Sequence, residues 1–202
     1  MSLPPADYGI AKVALPGQGE SGDLHLICPR SDGLLVAAID GIGHGESAAA
    51  AAKAATLILK AHADQPIITL VQLCHEELRS TRGVVLSLAS IELSHGLMTW
   101  LGVGNVQGVL LRANAQNGSG REVLMLRGGV VGSQLPSLQA AVLPVSRGDT
   151  LVFATDGVKD EFMEGLFGLE SPQRAADRIL QRYQTGTDDA LVLALRLSGI
   201  RA

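Results

Sequence analysis

The order of apolar segments along the chain predicts an α/β fold of the mixed α+β type, arranged as a sandwich, rather than a strictly alternating βαβ fold. Two strand-like runs come first, and two helical segments follow within residues 46–79. From Val84 onwards the pattern changes to short apolar runs with period-two alternation, and a helix and one more strand end the sequence. Many short strands joined by tight turns indicate antiparallel sheets.

The first half is predicted to contain a hairpin and two helices. Residues 23–28 alternate in polarity, residues 29–33 form a turn that ends in Asp-Gly, and residues 34–39 are continuously apolar. The Ala-rich segment 46–62 is a helix, because its apolar residues share one face. Apolar residues at a spacing of three and four predict a second helix within residues 66–79.

The second half is predicted to be mostly strands. The predicted strands are residues 84–93, 97–103, 106–112, 123–126, 140–145, 150–155 and 190–197. A Gly/Asn/Ser-rich loop is expected at 114–120, a short apolar helix or loop at 158–169, and a helix with proline at its start at 172–183.

The composition fits one folded domain, residues 1–202, and excludes several classes of protein. Of the 202 residues 47% are hydrophobic and 18% charged, which suits a compact core. A net charge of −4 with 3% aromatic residues argues against nucleic acid as a partner. No signal peptide or membrane span is evident, and Cys28 and Cys74 are expected to be reduced and buried. We therefore expect a soluble cytoplasmic protein with no membrane partner.

Acidic residues stand where predicted strands begin or end. Asp40 and Asp156 each follow an apolar strand, and Asp188 and Asp189 precede the last one. Three strand ends placed in this way direct oxygen ligands into one cleft, as hard cations such as Mg²⁺ and Mn²⁺ require. Carboxylates that lie so close repel one another without a cation. Taken singly, Asp-Gly is also a common structural turn, and that is the role we predict for Asp32-Gly33.

A glycine-rich loop separates the buried strand from the Ala-rich helix. Its sequence is Asp40-Gly41-Ile42-Gly43-His44-Gly45, and this density of glycine allows a ligand to approach the backbone closely. A dinucleotide-binding loop is the weaker alternative, since its fingerprint needs glycine at position 46, where Glu46 stands.

Several motifs together carry a family resemblance. They are the 40–45 loop followed by a helix, Ala154-Thr155-Asp156-Gly157, Thr187-Asp188-Asp189-Ala190, Gly22-Asp23, and Gly102-Val103-Gly104-Asn105-Val106. In this order and spacing they resemble the metal-dependent protein phosphatase family (PPM, type 2C), and most closely its bacterial SpoIIE-like branch. The resemblance covers residues from about 20 to 197. Within the branch, the short chain is similar to the stand-alone phosphatases of stress-signalling modules.

The resemblance implies a four-layer αββα sandwich, in which two stacked antiparallel sheets are flanked by helices. It also implies two Mn²⁺ or Mg²⁺ ions at one end of the sandwich and a metal-activated water that hydrolyses phosphoserine or phosphothreonine on a protein. The substrate would be a phosphorylated stressosome-type scaffold with an anti-sigma-factor-antagonist-like fold.

The same resemblance assigns roles to individual residues. Asp40 would bridge both ions, the Gly41 carbonyl would bind one of them, and Asp156 and Asp188 would complete the shell of the other. Asp189 is the alternative to Asp188 as the ligand of that pair. Asp23 would orient a water molecule at the ions.

The sequence allows alternatives for the role of His44, for the group that holds the phosphate, and for the function. His44 is either a general acid for the departing seryl or threonyl oxygen or a loop residue that supports the turn or faces solvent. Eukaryotic relatives often hold the phosphate with an arginine before the first acidic position, whereas residues 12–20 offer only Lys12, so we expect the metals to hold it. A binding-only pseudo-phosphatase and a metal-dependent hydrolase of small phosphate esters are the alternative functions.

Overall fold

The computed structural model describes residues 5–114, 120–166 and 170–200. Along these residues lie, in order, β1 (Ala6–Val13), β2 (Asp23–Arg30), β3 (Gly33–Gly41), α1 (Glu46–Ala61), α2 (Ile67–Glu77), β4 (Val84–Glu92), β5 (Leu97–Val103), β6 (Gln107–Leu111), β7 (Arg121–Val123), β8 (Leu126–Arg127), β9 (Ala141–Pro144), β10 (Thr150–Ala154), a 3₁₀ helix (Asp160–Gly165), α3 (Pro172–Tyr183) and β11 (Ala190–Leu197).

The strands form two stacked sheets. The first has the order β1-β11-β10-β6-β7 and is antiparallel throughout. The second has the order β2-β3-β4-β5-β8, and β9 also pairs with β5. Its neighbours are antiparallel except for β5 and β8, which pair in parallel over two residues. The predicted antiparallel sheets are therefore confirmed with one short exception.

Three apolar layers separate four layers of secondary structure. Strand β3 shows the arrangement best, because Leu34, Val36 and Ala38 lie in the layer between the sheets. The alternate residues Leu35 and Ile39 pack in the layer beneath α1 and α2. Since successive side chains point to opposite faces, a strand buried on both faces is apolar throughout. A third layer packs α3 against the outer face of the first sheet. The predicted αββα sandwich is confirmed.

Helix α1 lies unusually close to the second sheet at the end of β3. Its buried face is made of alanines, including Ala48, Ala51 and Ala55. A β-carbon on Gly41 would overlap the Ala48 carbonyl, so the glycine is required by helix packing. This packing fixes where the 40–45 loop leaves the sheet.

Two features of the strands differ from the prediction. Strand β1 was not predicted, since its inward positions are small residues such as Ala6, Gly9 and Ala11. A single strand at 123–126 was wrong: β7 pairs with β6 in the first sheet, whereas β8 pairs with β5 in the second. This segment crosses between the sheets, and its few apolar residues do not show where the crossing falls.

The remaining predictions concern single residues and loops. Cys74 is buried as predicted, but Cys28 is only half-buried, and both thiols are free. The segment 158–169 forms the 3₁₀ helix as far as residue 165, and residues 167–169 lie outside the described residues. Most of the predicted 114–120 loop also lies outside them. No helix within the described ranges has both the length and the apolarity needed to cross a bilayer.

Candidate functional site

One cavity of about 390 Å³ brings together acidic residues from both sheets. Asp40 reaches it from the end of β3, Asp156 from just after β10, and Asp188 from just before β11. Antiparallel pairing explains the meeting of the last two, because the end of β10 lies beside the start of β11. The rest of the wall consists of Ile42, Gly43, Val85, Gly104, Asn105, Gly128 and Gly129.

Asp40 is the most strongly perturbed carboxyl group on this wall. Its partner in the β2–β3 register is Asp23, so two carboxylates face each other across neighbouring strands. Burial, together with the charges of Asp23, Asp156 and Asp188, raises the pKa of Asp40 to about 9. The site therefore disfavours a negative charge on Asp40 unless a cation is present.

Asp156 is held by an amide from a neighbouring loop. Its side chain is exposed, and Asn105 donates an Nδ2 hydrogen bond of 2.8 Å to Oδ2. Partial burial of the carboxyl and the charge of Asp188 raise the pKa of Asp156, while the bond from Asn105 acts in the opposite direction. Asn105 thus fixes one oxygen of Asp156, and the main-chain N–H groups of Asp156 and Gly157 also bond this carboxyl group.

Asp23 lies behind the wall of the cavity. It is 1% exposed, and the Thr155 hydroxyl donates a 2.6 Å hydrogen bond to its Oδ2. The same hydroxyl accepts a 2.8 Å bond from the Leu191 N–H, which fixes its direction. Burial, with the charges of Asp189 and Asp156, raises the pKa of Asp23 to about 7. Asp23 is therefore a buried, oriented carboxyl group beside Asp40.

Asp188 and Asp189 have different surroundings. Asp188 is half-buried on the cavity wall, and its Oδ1 accepts a 2.8 Å hydrogen bond from the Asp189 N–H. Asp189 is 3% exposed, its Oδ1 accepts from the Leu15 N–H at 2.7 Å, and its Oδ2 accepts from the Gly22 N–H at 2.6 Å. Both oxygens of Asp189 thus bind the 15–22 segment, whereas Asp188 faces the cavity.

The other candidates from the sequence lie beside the cavity. His44 is exposed and does not line it, although the neighbouring Gly43 does. Gly41 is buried, and its N–H donates a 3.2 Å hydrogen bond to the Gly22 carbonyl. Lys12 donates to the main-chain carbonyl of Asp23, and partial burial of its ammonium lowers its pKa. Lys12 is therefore engaged elsewhere and is not on the wall.

Close packing requires the glycine after Asp40, whereas Asp156-Gly157 also forms a turn, in which the Val158 N–H donates a 3.0 Å hydrogen bond to the Thr155 carbonyl. Gly41 still belongs to β3, and a β-carbon on Gly157 would overlap the Asp189 carbonyl. By contrast, Asp32-Gly33 does connect β2 to β3, with a φ of 149° at Gly33, as predicted. Close backbone contacts thus hold the strand ends that carry Asp40 and Asp156.

The donor set fits hard divalent cations. Within the described ranges no three His, Cys, Asp or Glu side chains already converge into a closed cage. Mg²⁺ sites do not need one, because this ion is usually held by one or two carboxylates and keeps several waters. Three carboxylates on one wall, with the pKa of Asp40 strongly raised, supply oxygen donors and an unbalanced negative charge.

Comparisons with known proteins identify the family. The sequence model of the stage II sporulation protein E (SpoIIE) family matches residues 30–198. The chain belongs to the SpoIIE family. The predicted resemblance to the SpoIIE-like branch is thereby confirmed. No curated protein sequence matches this chain.

Three solved structures show what this SpoIIE-family protein is similar to. One structure, described for the bacterial stressosome as a modular system adapted to control secondary messenger signalling, is 27% identical with a TM-score of 0.85, over 95% of this chain and 99% of that one. RsbX in complex with magnesium is 18% identical with a TM-score of 0.85, over 98% of both chains. The catalytic domain of the serine/threonine protein phosphatase PstP with two manganese ions is 15% identical with a TM-score of 0.69, over 96% of this chain and 98% of that one. The SpoIIE-family chain thus shares the fold of RsbX and of the PstP catalytic domain.

The sequence did not assign roles to two parts of the SpoIIE-family site. Asn105 belongs to a motif that carried the resemblance, but nothing in the motif indicates that its amide bonds Asp156. Gly128 and Gly129 belong to none of the motifs and to no predicted strand, yet both line the cavity. In the structure Gly104 has a φ of 93°, a backbone conformation that favours glycine, and the chain turns there directly before Asn105.

Proposed function

We propose that this protein is a Mn²⁺- or Mg²⁺-dependent phosphatase that hydrolyses phosphoserine or phosphothreonine on a protein. One observation carries the proposal: Asp40, Asp156 and Asp188 come from the ends of strands in two different sheets and line the same cavity. Membership of the SpoIIE family supports it, as do the similar structures that contain magnesium or two manganese ions.

Residues at the cavity would hold the ions and the attacking water. Asp40 would lie between two ions, the Gly41 carbonyl would contact one, and Asp156 and Asp188 would contact the other. When bound, such ions neutralise charge on phosphoryl oxygens and lower the pKa of water. Asp23, which the Thr155 hydroxyl orients, would in turn orient the attacking water.

The reaction is an in-line displacement at phosphorus. The water oxygen gives up a proton and forms a bond to phosphorus, the bond from phosphorus to the seryl or threonyl oxygen breaks, and that oxygen takes up a proton, so that protons balance overall. His44 stays our predicted proton donor, acting from the exposed loop next to Gly43. Phosphate and the free hydroxyl side chain are the products.

The substrate we propose is a phosphorylated scaffold protein of the stressosome type. The structure described for the bacterial stressosome and the likeness to RsbX support this choice. We further propose that residues 1–202 form one phosphatase domain, whose motifs lie between about 20 and 197, and that it acts in the cytoplasm.

The test is hydrolysis of a phosphoserine peptide and of p-nitrophenyl phosphate with and without Mn²⁺. Activity should require the metal and should fall at least about 100-fold in Asp40→Asn and Asp156→Asn, because bound metal contributes several kcal/mol to the transition state. Asp64→Asn is the matched control, since its carboxyl is 81% exposed and far from the cavity wall. Undiminished turnover in EDTA would contradict the proposal.

Two outcomes would favour the alternative functions. Tight binding of a phosphorylated scaffold without turnover would indicate a pseudo-phosphatase. A higher kcat/KM for small phosphate esters than for any phosphopeptide would indicate a small-ester hydrolase. Phosphosite mapping on a stressosome-type scaffold before and after incubation identifies the residue that is dephosphorylated.

A further inference from the structure

An arginine from a different part of the chain lies against the glycine loop of the cavity. Arg82 belongs to the connection between α2 and β4, and the Ile42 N–H donates a 3.1 Å hydrogen bond to the carbonyl of the next residue, Gly83. This bond fastens the connection to the loop. A β-carbon on Gly43 would lie 2.5 Å from Arg82 Nη1, so the guanidinium lies against Gly43, which lines the cavity, and Arg82 itself lies outside the set of lining residues.

The guanidinium of Arg82 is available for a ligand. It is exposed, and among residues 5–114, 120–166 and 170–200 it has no hydrogen bond or ion pair. Arg79, three positions earlier, is engaged differently: its Nη2 bonds Glu76 Oε1 at 2.9 Å. A fixed backbone anchor beside a free guanidinium is what an anion-binding arginine needs.

The chemistry of the cavity calls for a cation on this side. The carboxylates of Asp40, Asp156 and Asp188 occupy one part of the wall and, unless neutralised, repel a phosphate monoester. Lys12, the cation that the sequence offered for this task, already donates a hydrogen bond to the Asp23 carbonyl. A guanidinium presents a planar fork of donors that matches two phosphate oxygens at once.

We propose that Arg82 binds the phosphoryl group of the phosphoseryl or phosphothreonyl substrate at the mouth of the cavity, on the side of Gly43. This proposal rests on the proposed phosphatase function and adds a residue to it. It also gives Gly43 a second reason to be glycine besides its φ of 90°, because any side chain there would displace the guanidinium. The metals would then share the phosphate with the protein.

Steady-state kinetics on a phosphoserine peptide at saturating Mn²⁺ tests this role. Arg82→Ala should raise KM about tenfold or more, the loss expected for a hydrogen bond to a charged group. Arg82→Lys should recover part of that loss, since it keeps the charge but not the fork. Arg79→Ala is the matched control and should change KM less than about twofold, because its exposed ion pair contributes little. An unchanged KM in Arg82→Ala would overturn the proposal.

A binding measurement separates this role from the proposed function. Inorganic phosphate is titrated calorimetrically into the Mn²⁺-loaded wild type, Arg82→Ala and Arg79→Ala, each first checked for an unchanged thermal unfolding midpoint. We expect the affinity for phosphate to fall about tenfold in Arg82→Ala alone. Equal affinity in all three proteins, or no affinity in any, overturns the role of Arg82. Absence of turnover in the wild type would refute the phosphatase function, and the titration would still decide on Arg82.

Discussion

At the residue scale, the ionised form of Asp40 lowers the stability of the metal-free protein. Burial and four neighbouring carboxylates raise its pKa from 3.8 to about 9, so in the absence of a cation the folded protein binds a proton there more tightly than the unfolded chain does. Its contribution to stability is therefore complete below about pH 4 and is lost as the pH rises towards 9. Asp23 acts in the same sense, and its contribution is lost as the pH rises from about 4 towards 7.

The first prediction at this scale is that Asp40→Asn stabilises the metal-free protein. In EDTA at about pH 8, the variant should unfold at least about 2 °C higher than the wild type, which corresponds to about 1 kcal/mol for a chain of this length. The difference should shrink towards about pH 5, where Asp40 holds its proton. Thermal unfolding followed by circular dichroism measures it. Asp64→Asn, which removes an exposed carboxyl, should show no such pH dependence, and a variant that is less stable than the wild type at high pH would contradict the pKa argument.

At the element scale, the entry into β11 has two adjacent aspartates with different tasks. Asp189 accepts two backbone N–H groups and so ties the segment between β1 and β2 to β11. Asp188 faces the cavity instead. Aspartate-to-asparagine substitutions at these two neighbouring positions can therefore distinguish a metal-ligand role from a structural role.

We expect Asp189→Asn to reduce stability and Asp188→Asn to reduce metal-dependent activity. In EDTA, Asp189→Asn should lower the free energy of unfolding by about 2 kcal/mol. In the wild type each carboxylate oxygen accepts a hydrogen bond from a main-chain N–H, whereas in the variant the amide NH₂ would face one of these N–H groups and leave it without an acceptor. Asp188→Asn keeps an acceptor for the Asp189 N–H, and should leave the metal-free stability within about 0.5 kcal/mol while raising the Mn²⁺ concentration needed for activity. Urea titrations and Mn²⁺ activation curves of both variants measure this. Reversed effects would make Asp189 the ligand.

The elements also show which signals in the sequence are strong. Strand β3 was predictable because burial on both faces requires a run of apolar residues. Strand β1 was not, because it packs Gly9 against the backbone at the start of α3, where Gln173 lies, and small residues give no clear alternation. The crossing between β7 and β8 depends on which sheet each short strand joins, and three-residue and two-residue strands carry too little pattern to decide that.

At the scale of the whole molecule, candidate site residues could be predicted only where an aspartate stands at the end of a predicted strand. Asp40, Asp156 and Asp188 met that condition, and the structure places all three on one wall. Asn105 and Arg82 come from connections whose positions relative to the strands depend on tertiary packing. Their contacts, to Asp156 and Gly43 respectively, therefore become visible only in the folded protein.

The cavity lies where the two sheets meet, and this predicts how a cation acts on the whole fold. Asp40 belongs to the second sheet, whereas Asp156 and Asp188 flank strands of the first, so an ion held by them would link the sheets as well as remove their repulsion. An ion that binds only to the folded state raises the free energy of unfolding by about 2.7 kcal/mol when its concentration is one hundred times the dissociation constant. For a chain of this length this corresponds to a rise of roughly 5–10 °C in the unfolding midpoint.

Mn²⁺ should therefore raise the unfolding midpoint of the wild type and of Asp64→Asn by this amount. The rise should be larger at about pH 8 than at about pH 6, because protons compete with the ion for Asp40. Hydrogen exchange should slow on β3 and β10 together, and Asp40→Asn should lose most of both effects. Protection confined to one sheet would show that the ion does not bridge the two.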